Sequence, residues 1–211
     1  MIDLERRDGA VLRVAHRGAA ALAPENTLRA FRTAVAHGVD LIEFDVLDLP
    51  RGPLVLAHSD QLDEVSHGAA VGSVRERSLA ELREVAPELP TLDEALAFFV
   101  DEAPELGLHV DLKLTTRLDE LTAALRRHGL ERRTVVSSFH TASLRAVAGH
   151  APSVRIGFTY PEDRYGVSRR RPLPRRRGAN RLDRRPSRPA RELQESARGR
   201  PRAVSRERAG A

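Results

Sequence analysis

The chain has 211 residues, 41% of them hydrophobic, with no Cys and no Trp; this is enough for one domain of ordinary size and excludes disulfides and thiolate metal sites. The charged start, MIDLERRDGA, has no secretory apolar core, and no apolar run reaches the roughly 18 residues of a membrane span, so the reading is cytoplasmic and soluble. The net charge of +5 is unevenly spread: residues 167–211 carry 16 Arg against four acids, which leaves residues 1–166 acidic by seven charges.

In chain order, VLRVAH (11–16) reads as a strand and TLRAFRTAVAHG (27–38) as a helix. Leu28, Phe31 and Val35 fall on one face of that helix, Asn26 or Thr27 caps it and Gly38 stops it. VDLIEFDV (39–46) and PLVLAH (53–58) follow as strands. LAELREVA and TLDEALAFFVDEA follow as helices, the second opened by a capping box of Thr91 and Glu94. LHVDLKL (108–114), a helix over LDELTAALRRHG, TVVSSF (134–139), a helix over TASLRAVAGH and SVRIGFTY (153–160) complete the pattern. Six strands alternating with helices predict a parallel β/α barrel of the TIM type in residues 1–166, with its last two strands missing. An open Rossmann-type sheet is the alternative, but no Gly-rich fingerprint follows any strand.

Beyond residue 166 the pattern stops. Residues 167–211 hold five Pro and no aromatic, His or hydrophobic period, so a disordered basic tail is expected. Its abrupt Arg, Pro, Ala, Gly and Ser bias also matches out-of-frame translation of a GC-rich gene. Counterion release would let such a tail bind nucleic acid, but it lacks interleaved aromatics and any known module, and no specific nucleic-acid partner is expected.

Polar residues collect at the C-terminal ends of the predicted strands, which in a parallel barrel meet at one rim. His16 and Arg17 close the first strand. Glu43 and Asp45, two apart, share one face of the second. His58 ends the third; Asp111 and Lys113, again two apart, end the fourth. Three carboxylates suit Mg²⁺ or Ca²⁺, two histidines suit acid and base work, and Arg17 and Lys113 suit an anionic phosphate. Of 35 basic residues Lys113 is the one lysine, which suggests a place for a compact ammonium where a planar fork does not fit. The set describes chemistry on a phosphodiester. The other six histidines, His109 among them, lack such company and are assigned to structural or surface roles.

HRG (16–18), PENT (24–27), IEFDV (42–46), VLAH (55–58), PTLDEAL (90–96), DLK (111–113) and SSF (137–139) together resemble the glycerophosphodiester phosphodiesterase family over roughly residues 11–160. The resemblance implies a TIM barrel that uses a divalent cation to hydrolyse glycerophosphodiesters to glycerol 3-phosphate and an alcohol. It implies His16 and His58 as the acid and base pair, Glu43, Asp45 and Asp111 as metal ligands, and Arg17 and Lys113 as phosphate binders. It also implies that the metal orients a glycerol hydroxyl whose attack passes through a cyclic phosphate. Glu25 is expected to brace the PENT loop. Related barrels act on lysophospholipids or phosphoinositides with similar rim groups. The chain departs from the family pattern in three places. His58-Ser59-Asp60 stands where the family has His-Asp, Asp111 stands where it has Glu, and the Trp-containing last strands have no counterpart.

Overall fold

The central strand β2 (Leu41–Asp48) organises the sheet in this computed structural model, which describes residues 11–159, all within the unit Met1–Glu162. Its alternate residues Ile42, Phe44 and Val46 are completely buried on the outer face, under the helices, while Glu43 and Asp45 project from the inner one. The other strands are β1 (Val14–Ala15), β3 (Leu54–Leu56), β4 (Gly107–Leu112), β5 (Thr134–Ser138) and β6 (Arg155–Phe158). The helices are α1 (Leu28–Ala36), α2 (Leu62–Val65), α3 (Leu79–Val85), α4 (Leu92–Asp101), α5 (Leu118–Arg127) and α6 (Thr141–His150). The basic segment 167–211 lies outside the described residues.

The strands run β1-β2-β4-β5-β6, all parallel, and α1, α4 and α5 carry the outer core. Phe31 of α1, Phe44 of β2 and Phe98 and Phe99 of α4 meet there with ring centroids 5.5–5.8 Å apart, a spacing at which tilted and edge-on contacts add to burial. Thr27 caps α1 by accepting from the Ala30 N–H, and the Thr91–Glu94 capping box at α4 is present, joined by a second one of Ser78 and Glu81 at α3. Leu47, Val55, Leu62, Val74 and Leu82 form a smaller core under the far end of β2.

One expectation is corrected. The third predicted strand is not a barrel strand: β3 pairs antiparallel with the end of β2, Leu56 opposite Val46 and Leu54 opposite Asp48. Residues 49–53 are too short a link for a parallel crossover, which needs about a dozen residues or more. The described parallel sheet therefore has five strands, three short of an eight-stranded barrel rather than two. It is an incomplete TIM-type β/α barrel whose outermost described strands expose Val14, Ile156 and Phe158.

Candidate active site

The pairing of β2 places the two candidate histidines along one of its edges. Val46 pairs with Leu56 on one side and Leu112 on the other, while Leu41 and Ile42 pair with Val14 and Ala15 on one side and with β4 on the other. β1 and β3 thus occupy the same edge of β2, opposite β4. β1 runs up that edge from Ala15 beside Ile42, and β3 runs down it from Leu56 beside Val46. His16 and His58 follow these strand ends, so they approach the 43–45 stretch from opposite directions. His58 reaches the rim because β3 is antiparallel.

His16 is largely exposed, its side chain 71% accessible, with Nε2 3.9 Å from Glu43 Oε2. His58 is half-buried, and its Nδ1 lies 3.3 Å from Oε2 of Glu64 on α2, which also accepts from the Ser59 hydroxyl at 2.8 Å. Glu64 therefore stands in for the partner that Ser59 cannot supply. Asp60 instead accepts from the Ser73 hydroxyl and the Arg75 N–H. Glu64 was not anticipated, because its helix is a four-residue turn with no periodic signal.

Tight turns aim the remaining rim groups. Gly18 has φ +77°, and a Cβ there would sit 2.8 Å from the Ala30 Cβ, so only glycine fits where the loop crosses α1. The Arg17 N–H donates to Glu43 Oε2 at 2.8 Å, and the Gly18 N–H to the Glu43 carbonyl. Glu25 accepts from Arg17 Nη1 at 2.7 Å, the expected brace. Asn26 provides a second and deeper one: its amide donates to Asp45 Oδ2 at 3.0 Å and its carbonyl accepts the Asp45 N–H. Arg17 Nε is 3.2 Å from Asp45 Oδ2 but is buried without a hydrogen-bond partner, so that contact is an ion pair whose N–H points elsewhere.

Asp45 and Asp111 are paired across β2 and β4, and Lys113 Nζ lies between them, 3.1 Å from Asp45 and 2.6 Å from Asp111. Its ammonium also sits 5.9 Å from the centre of the exposed Phe139 ring, a cation–π contact at the end of β5. Burial pulls Lys113 down, yet the two carboxylates outweigh it and hold it above the usual lysine range. Asp111, although buried, is held below the usual carboxylate range by donors from Lys113, Ser137 and Thr159. Glu43 behaves oppositely: burial first, then the charges of Asp45 and Asp111, push it up to about 7.

That shift has a consequence for stability. Glu43 titrates higher in the folded chain than its ordinary 4.5, so its contribution is complete at acid pH and is lost as pH rises through about 7. In a chelating buffer the wild type should lose stability relative to Glu43→Gln across that window, read from urea midpoints at each pH. Parallel profiles for the two proteins would contradict the assignment.

By donor type the three buried acids, oxygen ligands only, suit a hard divalent cation, and they are crowded enough that burial first and then mutual repulsion raise Glu43. Among the described residues no three His, Asp or Glu side chains are arranged as a metal cluster, and Lys113 fills the space between two of the acids. His109, assigned from the sequence to structure or surface, instead sits on the inner face of β4 beside Glu43, half-buried, with Nε2 2.8 Å from the Ser137 hydroxyl. The signal was there: His109 lies two residues before Asp111 in a strand and so shares its face.

Fold and rim define a β/α-barrel protein whose acids, histidines and cations collect at the strand ends. The Glycerophosphoryl diester phosphodiesterase family matches residues 16–176, past the boundary at 166 that composition suggested. A glycerophosphodiester phosphodiesterase of Caldanaerobacter subterraneus subsp. tengcongensis is 31% identical over 163 residues, covering 70% of this chain and 65% of that protein. The solved structure of a glycerophosphodiester phosphodiesterase from Agrobacterium tumefaciens aligns with TM-score 0.59 at 28% identity, covering 68% of this chain and 64% of that one. That of an Oleispira antarctica phosphodiesterase in complex with the product sn-glycerol-3-phosphate aligns with TM-score 0.57 at 25% identity, covering 75% and 71%. The chain belongs to the glycerophosphodiester phosphodiesterase family, a family of phosphoric diester hydrolases. It spans just under two thirds of the length of the Caldanaerobacter relative, 65%. Among the described residues no helix is long and apolar enough to cross a membrane.

Proposed function

We propose that this chain hydrolyses glycerophosphodiesters to glycerol 3-phosphate and an alcohol at the rim formed by β1, β2, the β3 turn and β4. The observation that carries the reading is the approach of His16 and His58, from opposite directions along one edge of β2, to the stretch that bears Glu43 and Asp45. Two imidazoles beside one phosphate can divide the proton transfers that a diester displacement needs.

His16 accepts the proton of the attacking oxygen, and His58 donates one to the leaving alcohol oxygen. The cavity of about 120 Å³ lined by His58, Glu25, Asn26 and Glu64 favours that division, since it offers the departing alcohol room on the His58 side. Arg17 and Lys113 hold the phosphate oxygens, and Glu64 keeps the His58 ring turned toward the reaction. Glu43, Asp45 and Asp111 would hold the divalent cation, Mg²⁺ or Ca²⁺. When bound it supplies charge neutralisation for the phosphate.

The test is release of glycerol 3-phosphate from glycerophosphocholine by the purified full chain, with Mg²⁺ or Ca²⁺ and with a chelator. Cation-dependent release is expected, and no release under either cation defeats the reading. Cation binding has its own readout: at a hundred times its dissociation constant a ligand that binds only the folded chain stabilises it by about 2.7 kcal/mol, so the thermal midpoint should rise with either metal. Glu64→Gln should leave that rise intact while lowering kcat about tenfold through loss of His58 orientation; an unchanged kcat would remove Glu64 from the machinery.

A further inference from the structure

The proton inventory around Asp111 singles out a residue outside the set that the sequence suggested. Ser137 Oγ lies 2.5 Å from Asp111 Oδ1 and 2.8 Å from His109 Nε2. The Thr159 hydroxyl donates to the same Oδ1 at 2.8 Å, and Lys113 donates to Oδ2 at 2.6 Å. With the Lys113 ammonium on Oδ2 and the Thr159 hydroxyl on Oδ1, the Asp111 carboxylate is the acceptor of this cluster. Ser137 has one proton, and at 2.5 Å from a carboxylate oxygen it goes there. The serine oxygen then faces His109 with a lone pair, and Nε2 must carry the hydrogen between them. This holds whether the ring is neutral or charged.

We propose that His109 is a positioning residue: by donating from Nε2 to Ser137 it commits the serine proton to Asp111 Oδ1, which pins the carboxylate with Oδ2 against Lys113. The short Asp side chain is thereby tied to β5 on one oxygen and presents the other, with its ammonium partner, to the rim. Without the imidazole, Ser137 is free to rotate its proton away, and Asp111 Oδ1 loses its shortest donor and keeps only Thr159. Its consequence for turnover rests on the phosphodiesterase reading; the hydrogen-bond order does not.

Two measurements on the full chain test it. Nitrogen-15 NMR of the labelled imidazoles should find His109 protonated at Nε2, with the preference lost in Ser137→Ala and in Asp111→Asn. Kinetically, His109→Leu and Ser137→Ala should each lower kcat by about tenfold to a hundredfold with KM little changed. The double variant should be no worse than Ser137→Ala alone, since both act through one carboxylate. His109→Gln, whose amide can donate from nearly the same place, should recover most of the loss, a rescue that simple space filling does not predict. A ring protonated only at Nδ1, additive losses in the double variant, or His109→Gln as impaired as His109→Leu each overturns the proposal. A wild type without turnover defeats the phosphodiesterase reading, and the NMR result then decides the role of His109 in ordering Asp111.

Discussion

His16→Ala should abolish measurable release of glycerol 3-phosphate while leaving the fold intact. Removing one acid–base group costs about 10²- to 10⁴-fold in rate. The His16 side chain is 71% exposed, and the acid it approaches among the described residues is Glu43, at 3.9 Å, so the change in stability should stay within about 0.5 kcal/mol, as for other surface positions. The two readouts are thereby separated: an inactive variant with the wild-type urea midpoint supports the proton-transfer role. A variant with a near-normal rate sinks it, and one that unfolds shows that the exposed ring does something for the fold that its contacts do not reveal.

Lys113→Met should have the largest effect on stability. The ammonium lies between two buried carboxylates, 3.1 Å from Asp45 and 2.6 Å from Asp111, with its own side chain 16% exposed. Removing one partner of a buried ion pair costs about 3–5 kcal/mol, because the remaining charge is stranded. Arg17 near Asp45 and the hydroxyls on Asp111 soften this only in part. Urea unfolding in chelator measures the cost without a metal ion substituting for the ammonium; a loss under about 1 kcal/mol would mean the carboxylates are not relying on it. Lys113→Arg should also destabilise, since a planar fork cannot fit where a point donor serves two acids.

Much of this site was legible because strands repeat every two residues. Glu43 with Asp45, and Asp111 with Lys113, share faces on any strand, and the structure pairs Asp45 with Asp111 across adjacent strands. The same rule puts His109, two positions before Asp111, on that face as well. Glu64 is different: it meets His58 through a single short turn, and no pattern marks a residue brought into place by one reversal of the chain. Asn26 reads from the sequence as a candidate cap for α1, a role that Thr27 takes, while the Asn26 amide and carbonyl clamp Asp45 instead.

What the amino-acid order determined by itself is what depends on near neighbours: alternation along β2 and β4, the capping box at Thr91, the family motifs, and which residue types crowd each strand end. The tertiary structure alone decided which edge of β2 each neighbour takes, and hence that His16 rises and His58 descends toward the same acids. It also decided that Ser137 and Thr159 arrive from β5 and just beyond β6 to hold Asp111. The reason is physical. A strand's faces follow from its own backbone, whereas the direction and order of its partners are set by link length, by hydrogen bonds between distant segments and by which helices cover the outer face.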